Sequence, residues 1–121
     1  MINSTLYKLD VLGEITVLTL KLDAATIFQD KELIKPFYVL LDVGRKNIVL
    51  DLSHTSYISS LILSSLVIML KKARKEGGNL VLCGARDPVK DLLNTTKLDR
   101  MFEMYEDRLQ AVKSLKEEKR F

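Results

Sequence analysis

The chain has 121 residues, room for one domain and little else. Hydrophobic residues make up 47% and charged residues 29%, so it buries a real core, and disordered, collagen-like or coiled-coil compositions are excluded. Lysine and arginine number 19 against 16 acids, a net charge of +3 that is dispersed rather than clustered, so no nucleic-acid partner is expected.

The first third reads as strands. Residues Thr5 to Leu12 and Ile15 to Leu22 are β-rich runs separated by Gly13-Glu14, and glycine suits the turn of a hairpin. In the second run Ile15, Val17 and Thr19 face one way, while Thr16, Leu18 and Leu20 face the other. Thr26 and Gln29 stand at capping-box spacing and predict a helix start. Pro36 interrupts that helix, giving either a kink or a short first turn followed by a helix that restarts near Lys35 and runs to Val43, with Gly44 as its stop.

Asn47 to Leu52 is a short, nearly continuous apolar run, as expected of a central strand covered on both faces. A helix from Ser60 to Lys75 follows, closed by Gly77-Gly78, and Asn79 to Cys83 is the next buried strand. Asp87-Pro88 supplies an N-cap and a proline at the first helical position for a short helix to about Leu93. A last strand is expected over Met101 to Tyr105. Glu106 to Lys119 then forms a final amphipathic helix with Leu109, Val112 and Leu115 on one side. Strands alternating with helices over short connections predict an α/β fold, a mixed central sheet of four to five strands with about four helices mainly on one face. A single domain over 1–121 is expected, its core at about 5–112 and a charged, solvated helix end at 113–121.

One cysteine forms no internal disulfide, and one histidine with it makes no structural zinc set, so no metal is expected and a reducing cytoplasm fits best. Met1 to Thr5 has neither a basic nor an apolar stretch of a targeting signal. Leu52 to Leu70 is uncharged over a length of the order of the ~20 residues that span a bilayer. Its eight serine, threonine and histidine side chains make it too polar for lipid, so no membrane span is expected.

Catalysis needs converging polar groups. His54 stands near Asp51 among Ser53, Thr55 and Ser56, but these are sequence neighbours, and no nucleophile elbow is present. Phosphate-loop glycine patterns are absent, so no nucleotide cofactor is expected, and Gly77-Gly78 follows a helix where such a loop precedes one. A phosphorelay receiver needs clustered acids at strand ends, and Asp23 and Asp51 are too few. Cys83 lies inside an apolar strand and reads as packing.

The helix after Ser59 is more informative. At ~100° per residue, Ile62, Leu63, Leu66, Met69, Leu70 and Ala73 share a stripe facing the sheet. Ser60, Ser64, Lys71 and Lys75 lie opposite, flanked by Val67 and Ile68. A solvated helix face is normally charged, yet the first ten residues here carry no charge. Small hydroxyls bordered by apolar side chains suit a surface that docks a partner. The competing reading is that the chain's own C-terminal segment, or a second copy, covers this face.

Residues Ile48 to Ser60, Ile-Val-Leu-Asp-Leu-Ser-His-Thr-Ser-Tyr-Ile-Ser-Ser, resemble the densest motif of the STAS domain, the fold of anti-sigma factor antagonists. There an apolar strand ends in Asp-Leu-Ser, and a short loop leads to aromatic-apolar-Asp-Ser-x-Gly-Leu opening a helix. Leu22-Asp23, Glu76 to Leu80 and Val89 to Leu98 support the likeness, which runs from about Leu6 to Val112. The resemblance implies a bacterial, non-enzymatic transcription regulator that binds a serine-kinase anti-sigma factor and is released by phosphorylation of the motif serine. That serine falls on Ser60, with Ser59 as second choice. The motif acid is replaced by Ser59, its glycine by Ile62, and the glycine before Leu22-Asp23 by Lys21.

The expected contact surface comprises Ser59, Ser60, Ser64, Val67, Ile68 and Lys71, bordered by Ser53, His54, Thr55 and Ser56. The alternative is a non-switching STAS interaction or scaffold module in which Ser60 only helps to cap the helix. The sequence leaves a homodimer open.

Overall fold

A computed structural model describes residues 5–118. Residues 1–4, part of the stretch read for a targeting signal, and the helix end expected at Lys119 and Arg120 lie outside the described residues.

Five strands form one sheet in the order β1-β2-β3-β4-β5 among the described residues: β1 Tyr7–Leu12, β2 Ile15–Leu20, β3 Asn47–Asp51, β4 Asn79–Cys83 and β5 Met104–Tyr105. The pair β1 and β2 is the expected antiparallel hairpin, with Leu12 opposite Ile15. Gly13 has φ +64°, the left-handed value that the first central position of a tight II′ turn demands. All later pairings are parallel, so the sheet is mixed with its antiparallel strand at one edge.

The helices are α1 Ile34–Asp42, α2 Ser60–Lys75, α3 Asp87–Thr95 and α4 Arg108–Glu118. Helices α1, α2 and α3 cover one face, where Leu18, Leu20, Ile48, Leu50, Leu80 and Leu82 meet Phe37, Leu66 and Leu93. The opposite face carries Ile15, Val17, Val49, Val81 and Cys83 and is covered by Ala111, Val112 and Leu115 of α4. The alternation expected along β2 therefore sorts its side chains between two cores. Leu115 is buried beyond the expected core boundary at Val112.

Local details depart from expectation at several places. The capping box after β2 is formed by Asp23 and Thr26, not Thr26 and Gln29. Asp23 Oδ1 accepts from Ala25 N at 2.9 Å and Thr26 N at 3.0 Å, and a carboxylate at a helix N-terminus also favours the helix dipole. The segment it starts, Ala24–Leu33, is a 3₁₀ helix, and α1 begins so that Pro36 falls in its first turn. There a missing N–H costs nothing, since the first four have no intrahelical partner. The N-cap of α3 is Arg86 rather than Asp87, which lies in the first turn beside Pro88.

Leu109 was expected on the apolar side of the last helix, but it is 78% exposed. The buried stripe is centred on Ala111, Val112 and Leu115, and at ~100° per residue Leu109 lies well off its midline. Gly78 has a different kind of necessity. A β-carbon there would collide with the backbone carbonyl of Lys46, which accepts from Asn79 N at 3.0 Å where β3 and β4 begin.

Candidate functional site

The site sits where β3 leaves the sheet and α2 begins. Leu52 N donates to Cys83 O at 2.8 Å, carrying the pairing one residue past the strand end. The chain then turns through residues 53–56, and Thr55 N closes the turn on Leu52 O at 3.1 Å. The loop is fastened across to the end of β2: Thr55 Oγ1 donates to Leu20 O at 2.7 Å and accepts from Leu22 N at 3.3 Å. Ser56 N donates to Leu22 O at 2.8 Å. These bonds set the height at which the hydroxyl pair Ser59-Ser60 emerges.

Ser59 is the N-cap of α2, in extended conformation, and its Oγ accepts from Ile62 N at 3.3 Å. The side chain is buried and engaged in the cap, so Ser59, expected on the contact surface, holds the helix start instead of meeting a partner. Ser60 is the first residue of the helix and is exposed. One turn on, Ser64 Oγ donates to Ser60 O at 2.9 Å. Ile62, where the family motif has glycine, points into the core with no exposed surface. Ile62, Leu63, Leu66, Met69, Leu70 and Ala73 are buried and Ser60, Ser64 and Lys71 face outward, as the helical period predicts. Val67 is half-buried and Ile68 is 48% exposed.

The outward side of α2 borders a shallow groove of about 450 Å³. Ser60, Leu63, Ser64, Val67 and Ile68 form one wall, and Thr96 and Leu98 the other. Thr96 and Leu98 follow α3 and were not singled out in the sequence, because nothing in their own spacing shows that this segment comes back beside α2. The tail does not cover the groove among the described residues, since α4 packs against β3, β4 and β5 on the far face.

Of the expected loop contacts, Ser53, His54 and Ser56 are exposed beside the start of α2. Thr55 is a correction. Its side chain is fully buried and spent on the β2 backbone, so it holds the loop rather than offering a contact.

Asp51, the acid of the Asp-Leu-Ser motif, faces away from this groove. Its Oδ1 accepts from Ser53 N at 2.9 Å, and its Oδ2 accepts from Arg108 Nη2 at 3.1 Å. The same guanidinium donates to Thr19 Oγ1 at 2.9 Å and lies 3.4 Å from Asp10 Oδ2. Burial by itself pushes the Asp51 carboxyl up; the hydrogen bonds from Ser53 and the charge of Arg108 outweigh it and hold the group below the usual carboxylate range. With both oxygens engaged in this way, Asp51 is a clamp between strand and helix rather than the orienting acid of a triad through His54. Burial, and then the nearby Asp51 charge, push the Cys83 thiol up to about 12. At neutral pH that side chain is a protonated packing group.

This arrangement defines a class: a small α/β domain whose most distinctive exposed feature is a hydroxyl-bearing helix start beside a shallow apolar groove. The STAS domain family matches residues 8–111, nearly the whole chain, and the protein belongs to that family. The fold is shared with a Thermotoga maritima protein assigned as an anti-sigma factor antagonist, at 23% identity over 91% of this chain and 94% of that one, TM-score 0.78. An anti-sigma factor antagonist from Mycobacterium paratuberculosis matches at 21% identity over 91% and 92%, TM-score 0.76. The Bacillus cell-fate determinant SpoIIAA in its phosphorylated form matches at 13% identity over 89% and 97%, TM-score 0.68. No helix among the described residues is long and apolar enough to cross a membrane.

Proposed function

We infer that the chain acts as one regulatory domain, an anti-sigma factor antagonist that binds a serine-kinase anti-sigma factor through the outward side of α2. The observation that carries this reading is the division of labour at Ser59-Ser60. Ser59 holds the cap, while Ser60 presents its hydroxyl to solvent at the lip of an apolar groove. A phosphate on Ser60 would sit beside the unpaired N–H groups of the first turn and the positive end of the helix dipole, so the fold would accept it. It would also place about two negative charges on a surface of small hydroxyls and aliphatic groups. A partner that buries this surface would have to strip water from those charges, and binding would be lost without unfolding. The solved phosphorylated form of SpoIIAA supports the reading by likeness of fold.

The test is incubation with the cognate kinase and ATP, followed by intact mass and peptide mapping, alongside binding of Ser60→Ala and Ser60→Asp. One added phosphate on Ser60, with alanine binding like wild type and aspartate binding poorly, is the expected result. Equal binding by both variants and no added mass would favour the second reading, a non-switching interaction module. Its supporting observation is Ser59, which stands where the motif has an acid and whose hydroxyl is occupied by the cap.

A further inference from the structure

The sheet has two edges. One is β5, only two residues long, and the other is β1, six residues with no element hydrogen-bonded to its outer side among the described residues. Open edges of this length invite pairing with another strand. Lys21 N donates to Leu6 O, and Leu6 lies opposite Lys21 in the hairpin register. In an antiparallel ladder the residues bonded inward alternate with those bonded outward. Leu6, Lys8, Asp10 and Leu12 therefore bond toward β2, and Tyr7, Leu9 and Val11 direct their N–H and C=O groups to the open edge.

Side-chain placement along the same strand is equally ordered. Tyr7, Leu9 and Val11 share the face of Leu18 and Leu20, beside Pro36 and Val39 of α1. Lys8 and Asp10 share the opposite face with Thr19 and Val17. Val11 is 58% exposed, and Tyr7, Leu9, Pro36 and Val39 line an apolar groove on this face of the sheet.

We propose that β1 pairs antiparallel with β1 of a second copy of this chain about a two-fold axis at Leu9. The argument for that occupant is self-complementarity. With Leu9 opposite Leu9, Tyr7 meets Val11 and Lys8 meets Asp10 of the second copy, twice by symmetry. The hydrogen-bonded positions are then Tyr7, Leu9 and Val11, the residues whose backbone groups point outward. Lys8 and Asp10 fall at the non-hydrogen-bonded position, where cross-strand side chains come closest and opposite charges help most. Centring the axis on Lys8 or Asp10 instead sets like charges face to face, which disfavours those registers. Asp10 keeps Arg108 as a neighbour, since a carboxylate accepts from several donors. The surface differs from the α2 groove, so this inference stands independently of the proposed antagonist function.

Sedimentation velocity of the full chain over a dilution series from roughly 100 μM tests it by mass action. Wild type sediments as a concentration-dependent dimer that weakens with added salt. Lys8→Glu weakens self-association about tenfold or more, because two attractive pairs become repulsive. Val11→Pro removes an outward donor without touching the bonds to β2, and it also gives monomer with unchanged circular dichroism. An equimolar mixture of Lys8→Glu and Asp10→Lys restores both ion pairs and dimerises. A monomeric wild type throughout the series, or a dimer that survives both Lys8→Glu and Val11→Pro, overturns the proposal. Failure of the mixture to associate overturns the Lys8–Asp10 register.

Discussion

Arg108 Nη2 lies 3.1 Å from Asp51 Oδ2, and this contact ties the first turn of α4 to the end of the central strand β3. The guanidinium is partly exposed, whereas the carboxylate is nearly buried. Losing the arginine therefore harms the fold mainly by leaving Asp51 without its cation. Arg108→Ala is expected to cost about 1–3 kcal/mol in urea unfolding, the usual penalty for orphaning a buried polar group.

The same pair sets an acid limb. The folded-state pKa of Asp51 is below its unfolded value, so the unfolded chain binds the proton first as pH falls. The contribution is complete above the ordinary carboxylate pKa of about 4 and disappears as pH drops through the lower folded value. Asp51→Asn should flatten the stability profile below the ordinary carboxylate pKa of about 4 while leaving its slope near neutrality unchanged. Denaturant midpoints measured across that range check it; an acid slope equal to wild type would refute the assignment.

Cys83 is the only cysteine, buried in β4 with its thiol pushed up to about 12. Both protonation and burial protect it, so a thiol reagent at neutral pH should label the native protein no faster than the chain opens. Full labelling in denaturant and slow labelling without it is the expected pair of results. Rapid labelling of the folded chain would contradict the packing described for β4.

Ser59 is expected to act through helix stability rather than through contact with a partner. Ser59→Ala should cost about 1 kcal/mol, the usual value of an N-cap oxygen. Ser59→Asp should recover that loss, since aspartate caps as well as serine and adds a charge favoured at the helix start. Thermal unfolding of the two variants separates these effects from binding.

The groove and the loop divide by exposure. Ile68→Glu should abolish partner capture with an unchanged unfolding midpoint, because Ile68 is half exposed at the groove wall. Thr55→Val should do the opposite. It removes the hydroxyl bonded to Leu20 O and Leu22 N, costing about 1–3 kcal/mol, but leaves the outward surface unaltered. Paired pull-down and chemical denaturation measure both.

The backbone at Gly78 offers a test of the sheet's own geometry. Gly78→Ala drives a methyl group into the Lys46 carbonyl and should destabilise by about 1–3 kcal/mol, the range for overpacking against unyielding neighbours. A neutral alanine in urea unfolding would show that β3 and β4 begin farther apart than described.

Period and punctuation alone determined the order of strands and helices and the sidedness of α2. A buried stripe must recur near every 3.6 residues, and glycine and proline mark where the chain cannot continue. Hence Ile62 was legible as core and Ser60 as outward, and the hairpin at Gly13 was visible before any contact was known. Periodicity says which way a side chain leaves its own element and nothing about what returns to meet it. The Asp51–Arg108 pair joins residues 57 positions apart, and the Thr96–Leu98 wall closes a groove begun at Ser60. Loops have no period at all, so Thr55 looked like its exposed neighbours until the end of β2 was laid across it. Leu109 shows the same limit within a helix, where a rotation of about one residue decides which apolar group the sheet covers and which is left in water.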